Sequence, residues 1–111
     1  MGQYTPYIFD NSTGTGVLAV SFDPNVNFIL VAVKLHLSTA GDASDTFTIT
    51  ADSTEGAAYD ILLLSQSMSA ETDVLWTPDL LPFKKDDKLL FGMTRASGVT
   101  WGLEIVYREE A

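Results

Sequence analysis

Five acidic residues, Asp42, Asp45, Asp52, Glu55 and Asp60, crowd the stretch around Phe47. Hard cations such as calcium take several carboxylate and carbonyl oxygens, so this density is the first chemistry to test. The spacing fails the test: no alternating acids lead to a glycine and a distal glutamate. These acids read as turn formers and solvating charges, and no metal site is expected. His36 is the single histidine and cysteine is absent. A metal site at His36 would therefore need carboxylates for every other ligand. The histidine falls on the polar side of an alternating segment, the place of a surface or interface residue.

Nucleophilic chemistry is no better supported. Gly-x-Ser-x-Gly does not occur, and a triad would have to recruit His36 from the middle of a strand. No pair of carboxylates stands out as a glycosidase acid and base. Gly14-Thr15-Gly16 leads into a strand pattern, so no helix N-terminus is there to cradle a phosphate. No catalytic residue, cofactor or metal ligand is expected.

The elements that position these residues are strands. Phe28 to Leu37 reads FILVAVKLHL, with Ile29, Val31, Val33, Leu35 and Leu37 on one face and Lys34 and His36 on the other. That is period two. Further strands are predicted over 4–9 (with Pro6 inside), 16–22, around Phe47–Ala51, 59–67, 72–76, 88–94 and 100–107. Turn clusters fall at 10–14, 23–25, 52–56, 84–87 and 95–98. Residues 59–67 are apolar throughout Ile61–Leu64, which predicts a strand covered on both faces. Strands every ~10 to 14 residues are the rhythm of an antiparallel sandwich or barrel. The expectation is an all-β fold: an antiparallel β-sandwich, jelly-roll-like, with about eight strands. At 111 residues the chain makes a single domain, 1–111, with residues 1–12 a candidate N-terminal arm.

Composition narrows the partners. Fifteen Asp and Glu stand against six Lys and Arg, a formal net charge of -9. Phosphate backbones and anionic lipid surfaces both demand cationic contacts, so neither nucleic acid nor membrane is an expected partner. The absence of cysteine fits assembly in a reducing cytoplasm, and the N-terminus lacks the pattern of a signal peptide. Most aromatic residues fall on the apolar parity of their strands. The exceptions are Tyr4, Tyr7 and Phe9, in a segment with little else to bury, and Phe28, which with Leu30 takes the outward parity of its strand. Apolar groups so placed mark interfaces, and these five residues are the candidate interface set.

From Val31 onward the order of elements resembles a set of small virion proteins of tailed bacteriophages. The resemblance is carried by VAVKLHLSTA (31–40), FTITADSTEGAAYDILLLSQSMS (47–69), DVLWTPD (73–79), LPFKKDDKLLFGM (81–93) and TWGLEIVYRE (100–109), and the span from the first to the last covers roughly three-quarters of the chain. In such proteins a turn of the type Lys-x-x-Asp precedes the closing hairpin; here Asp86 stands where glycine is often found. The resemblance implies a non-enzymatic β-sandwich subunit on the phage head surface, made in the host cytoplasm. Its implied role is a capsid decoration (cement) protein that binds the major capsid protein and self-associates, with a homotrimer favoured. A carbohydrate-binding or host-adhesion module of a tail or head spike is compatible with the same fold. In that case Trp76 or Trp101 would stand exposed at a loop rim.

Overall fold

The computed structural model describes residues 6–94 and 99–110, so Tyr4 and the turn expected at 95–98 lie outside the described residues. Nine strands are described: β1 (Ile8–Thr15), β2 (Leu18–Phe22), β3 (Phe28–Leu37), β4 (Thr46–Asp52), β5 (Ile61–Ser67), β6 (Asp73–Trp76), β7 (Leu81–Phe83), β8 (Lys88–Met93) and β9 (Thr100–Glu109). A single 3-10 turn at Ala57–Tyr59 precedes β5. The strands form two antiparallel sheets. The first runs β1-β9-β3-β6, with β7 also paired to β3; the second runs β2-β8-β4-β5.

This order is that of one long hairpin rolled up. β4 pairs with β5 around the apex at 53–60, β3 with β6 and β7, β2 with β8, and β1 with β9. Rolling adds the β3–β9 and β4–β8 pairings and divides the ribbon into two packed sheets. That is the jelly roll expected from the sequence. β6 and β7 are the two halves of one strand position, broken at Thr77–Leu80, and this split makes nine strands where about eight were expected.

The core lies between the sheets. Val33, Leu35, Leu37, Leu103 and Ile105 of the first sheet meet Leu18, Phe47, Ile49, Leu89, Phe91 and Met93 of the second. Alternation explains both sets: along these stretches of β3, β4, β8 and β9, every second residue is apolar and points inward. Stacked Phe47 and Phe91 lie 6.4 Å apart between ring centroids. At the other end, Phe28 stacks on Phe83 at 5.1 Å and meets Phe22 and Tyr107 edge-on.

Phe28 and Leu30 correct the expectation of an outward apolar patch, because both are fully buried in this core. The cause is a β-bulge. Leu30 pairs with Tyr107 and Ala32 with Val106, which leaves Val31 as an extra residue. One extra residue reverses the inside–outside parity of everything before it. Phe28 and Leu30 therefore turn inward, while Ile29, expected inside, joins Ala32 and Val106 on the outer face. The β6–β7 break lies at the same level of the sheet, between the Leu30–Leu81 and Val33–Trp76 pairs.

Three further segments depart from expectation. Asp10–Gly14, expected as a turn, lies within β1, because each residue finds a ladder partner on β9. The candidate arm is accordingly shorter than 1–12, since the chain is an edge strand from Ile8 onward. β5, expected to be covered on both faces, is the outermost strand of its sheet, with Ile61 and Leu62 exposed and only Leu63 and Leu64 packed against the core. Tyr59, expected in that strand, ends the 3-10 turn before it.

Candidate functional site

The outer face of the first sheet carries a groove of about 500 Å³. Its floor is Gly102 on β9, where nothing stands within 4 Å of the position a Cβ would take. Ladder register sets side chains in rows across this face. One row places Asn11, Glu104, Lys34 and Leu75 side by side, and the next places Thr13, Gly102, His36 and Asp73. Each row holds a side-chain contact between neighbouring strands. Lys34 Nζ lies 3.1 Å from Glu104 Oε1, and His36 Nδ1 donates to Asp73 Oδ1 at 2.5 Å.

The hydrogen bond from His36, joined by one from Thr72 Oγ1, holds the Asp73 carboxyl below the usual carboxylate range. Leu75 stands 69% exposed at the groove's margin. The groove thus offers a carboxylate, an ammonium and an amide around an open floor. His36 keeps the outward place expected for it. What periodicity could not show is its pairing with Asp73, 37 residues away in the chain.

The acidic residues around Phe47 do not converge. Asp42 accepts from the backbone N–H and the hydroxyl of Ser44, and buried Asp45 accepts from the Asp42 N–H. Asp60 accepts from the Ser53 N–H and closes the hairpin apex. Glu55 pairs with Lys84, whose ammonium it holds above its ordinary pKa. Asp87 accepts from the Thr54 N–H and hydroxyl and from the Lys84 N–H. Partial burial opposes ionisation of Asp87, but these bonds prevail and its pKa is lowered. Asp52 ends β4 opposite Lys88; each of the other acids organises a local turn or ties two loops together. Among the described residues, no three His, Asp or Glu side chains are grouped to hold a metal ion.

Besides Val17, Leu80 and Leu90, apolar side chains are exposed in two other places. Phe9 on β1 is 56% exposed and Tyr7, just before it, is 49% exposed. Phe9 pairs with Val106, so it extends the apolar row of Val106 and Ala32 across the outer face of the first sheet. At the far edge of the second sheet, Tyr59, Ile61 and Leu62 are each more than half exposed. The sequence reading missed this edge because it assigned Ile61–Leu64 to the interior. The missing signal was the lack of a second strand to cover them, which depends on strand order.

The tryptophans offer no rim. Trp101 is 7% exposed, and its ring lies so close to Gly14 that a Cβ there would sit 2.6 Å from Cζ2. Trp76 is half-buried against the core. Among the described residues, no helix is long and apolar enough to cross a membrane. Compared with known proteins, the chain matches no family model and no curated protein sequence.

Proposed function

We propose that this chain is a non-enzymatic structural protein of a tailed-phage virion, a capsid decoration protein that binds the major capsid protein and stabilises the head shell. The observation that carries this reading is the exposure of Phe9 on one free edge and of Ile61 and Leu62 on another, in a chain of net charge -9. Exposed apolar groups of this size belong to surfaces that are covered in an assembly. The resemblance of 31–109 to phage virion proteins supplies the kind of assembly, and the jelly-roll order suits it.

In this reading each copy bridges neighbouring capsid subunits. Tyr7 and Phe9 bury apolar area against the shell, at about 25 cal/mol per Å². Acidic turns face solvent or basic patches of the shell. Many modest contacts, repeated over the head, then resist outward pressure through multivalency. The test is co-sedimentation of the purified chain with phage heads stripped of their decoration protein. Saturable binding that is lost on deleting residues 1–9 is expected. Absence of binding to heads would overturn the reading, and undiminished binding after the deletion would reject the role of the N-terminal aromatics.

The groove favours a second reading, a carbohydrate-binding or host-adhesion module. Asn11, Glu104, Lys34 and Asp73 are side chains that hydrogen-bond hydroxyls, gathered over an open glycine floor. Against it, neither tryptophan is placed as a stacking platform for a sugar ring. Glycan-array binding abolished by Glu104→Gln and Asp73→Asn would favour this reading over the first.

A further inference from the structure

A sandwich of this order has four free strand edges, and three carry the usual protections against pairing with another chain. β6 and β7 are four and three residues long, separated by a break that holds Pro78, and Pro82 removes a donor within β7. β2 has five residues, presents only Ala19 and Ser21 as exposed side chains, and runs into Asp23-Pro24. β1 carries Asp10 near its start and ends at Gly14 and Thr15, followed by Gly16 with φ 88°.

The fourth edge is unlike these. β5, ILLLSQS, has seven residues without a charge, proline or glycine; Asp60 directly precedes it, and on the other side the chain stays uncharged as far as Glu71. Ile61 is 57% exposed and Leu62 is 56% exposed. Its one irregularity is a bulge at Leu63, between the Ile49–Leu64 and Thr50–Leu62 pairs, and this leaves Leu64–Ser67 in regular register with β4.

We propose that β5 is a self-association edge: two copies of this chain pair β5 to β5, antiparallel about a two-fold axis, and join their four-stranded sheets into one of eight. This rests on the self-association that the resemblance implies, replaces the homotrimer favoured there with a dimer, and names the surface. A second copy is the occupant, because it brings the same uncharged, unprotected edge. Two chains of net charge -9 repel each other wherever their surfaces are acidic. Along β5 there is no charge to repel, and equally none with which a basic partner could be recognised.

Charge also selects the direction. Paired antiparallel and centred on Leu64, Asp60 of each copy lies opposite Met68 of the other. Parallel in-register pairing would set Asp60 against Asp60. The two-fold arrangement is self-complementary, so it closes at two copies and does not grow into a filament.

Native mass spectrometry and sedimentation velocity on the purified full chain, without capsids, test this. A dimer is expected, and it strengthens as salt is raised, because screening weakens the repulsion between two acidic copies. Ser65→Lys, at an exposed position in mid-strand, should weaken dimerisation at least ~10-fold by placing a charge in the seam. Leu62→Lys serves as a second variant, and a thermal melt of each confirms that the monomer still folds.

The chain has no cysteine, so single cysteines report directly on the seam. Leu64→Cys should cross-link two copies on oxidation, and Leu75→Cys, exposed on the other sheet, should not. A monomer at every concentration and salt, a trimer, or a dimer indifferent to Ser65→Lys would each overturn the proposal. None of these results bears on whether the chain binds heads, and failure to bind heads would leave the dimer standing.

Discussion

The two ends of β3 obey opposite rules within one strand. Phe28 and Leu30 at its start are fully buried against the second sheet, whereas Lys34 and His36 near its end are exposed and line the groove. Both ends alternate faithfully. What separates them is one extra residue, Val31, which exchanges inside for outside. Alternation is therefore a local instruction, and a single bulge decides which half of it points at the core.

Deleting Val31 breaks this contrast most directly. It forces Phe28 and Leu30 into water or drags the β3–β9 ladder out of register. The expected outcome is loss of a cooperative urea transition, a larger effect than any single substitution in the strand. A variant that still melts cooperatively near the parent would show that the bulge can migrate. Phe28→Ala comes next. It empties a site ringed by Phe22, Phe83 and Tyr107. About 3–5 kcal/mol should be lost in equilibrium denaturation, as for other buried aromatic truncations.

At the exposed end the same measurement should move far less. Lys34→Ala removes the partly exposed pair with Glu104 and should cost about 0.2–1 kcal/mol, shrinking as salt is added. The subtlest effect belongs to Asp73. Its folded pKa is depressed by the hydrogen bonds from His36 and Thr72, so its stabilisation is complete above the unfolded value of 3.8 and is lost as pH falls through the folded value. The gap in melting temperature between the parent and Asp73→Asn should therefore close as the pH drops below 3.8. A gap that stays constant would mean that the bond to His36 carries no linkage.

Legibility followed the same division. Period-two runs at Phe47–Ala51, Leu89–Met93 and Trp101–Ile105 placed their inward residues correctly, because those stretches keep one parity throughout. Residues 10–14 look like a turn by composition, yet become strand because β9 supplies a ladder partner for each. Tertiary pairing overrides local preference there. Ile61–Leu64 is rich in leucine for the opposite reason to the one its composition suggests: it lies at an edge. Edge and centre differ in strand order, which no local pattern encodes. Tyr7 and Phe9 are exposed as expected, whereas the groove was invisible to sequence because it joins residues from β1, β3, β6 and β9.

The rolled hairpin also sets a timetable. β9 is the central strand of the first sheet, flanked by β1 and β3, and its Tyr107 is the ladder partner of Ile8. During synthesis that sheet has no middle until β9 leaves the ribosome, so β1 and β3 must wait for the partner they share. Closing so long a loop before any reward places the chain among slow, non-local folders, on the order of milliseconds to seconds. Over that interval the uncharged β5 edge, complete well before β9, is open to any other chain nearby.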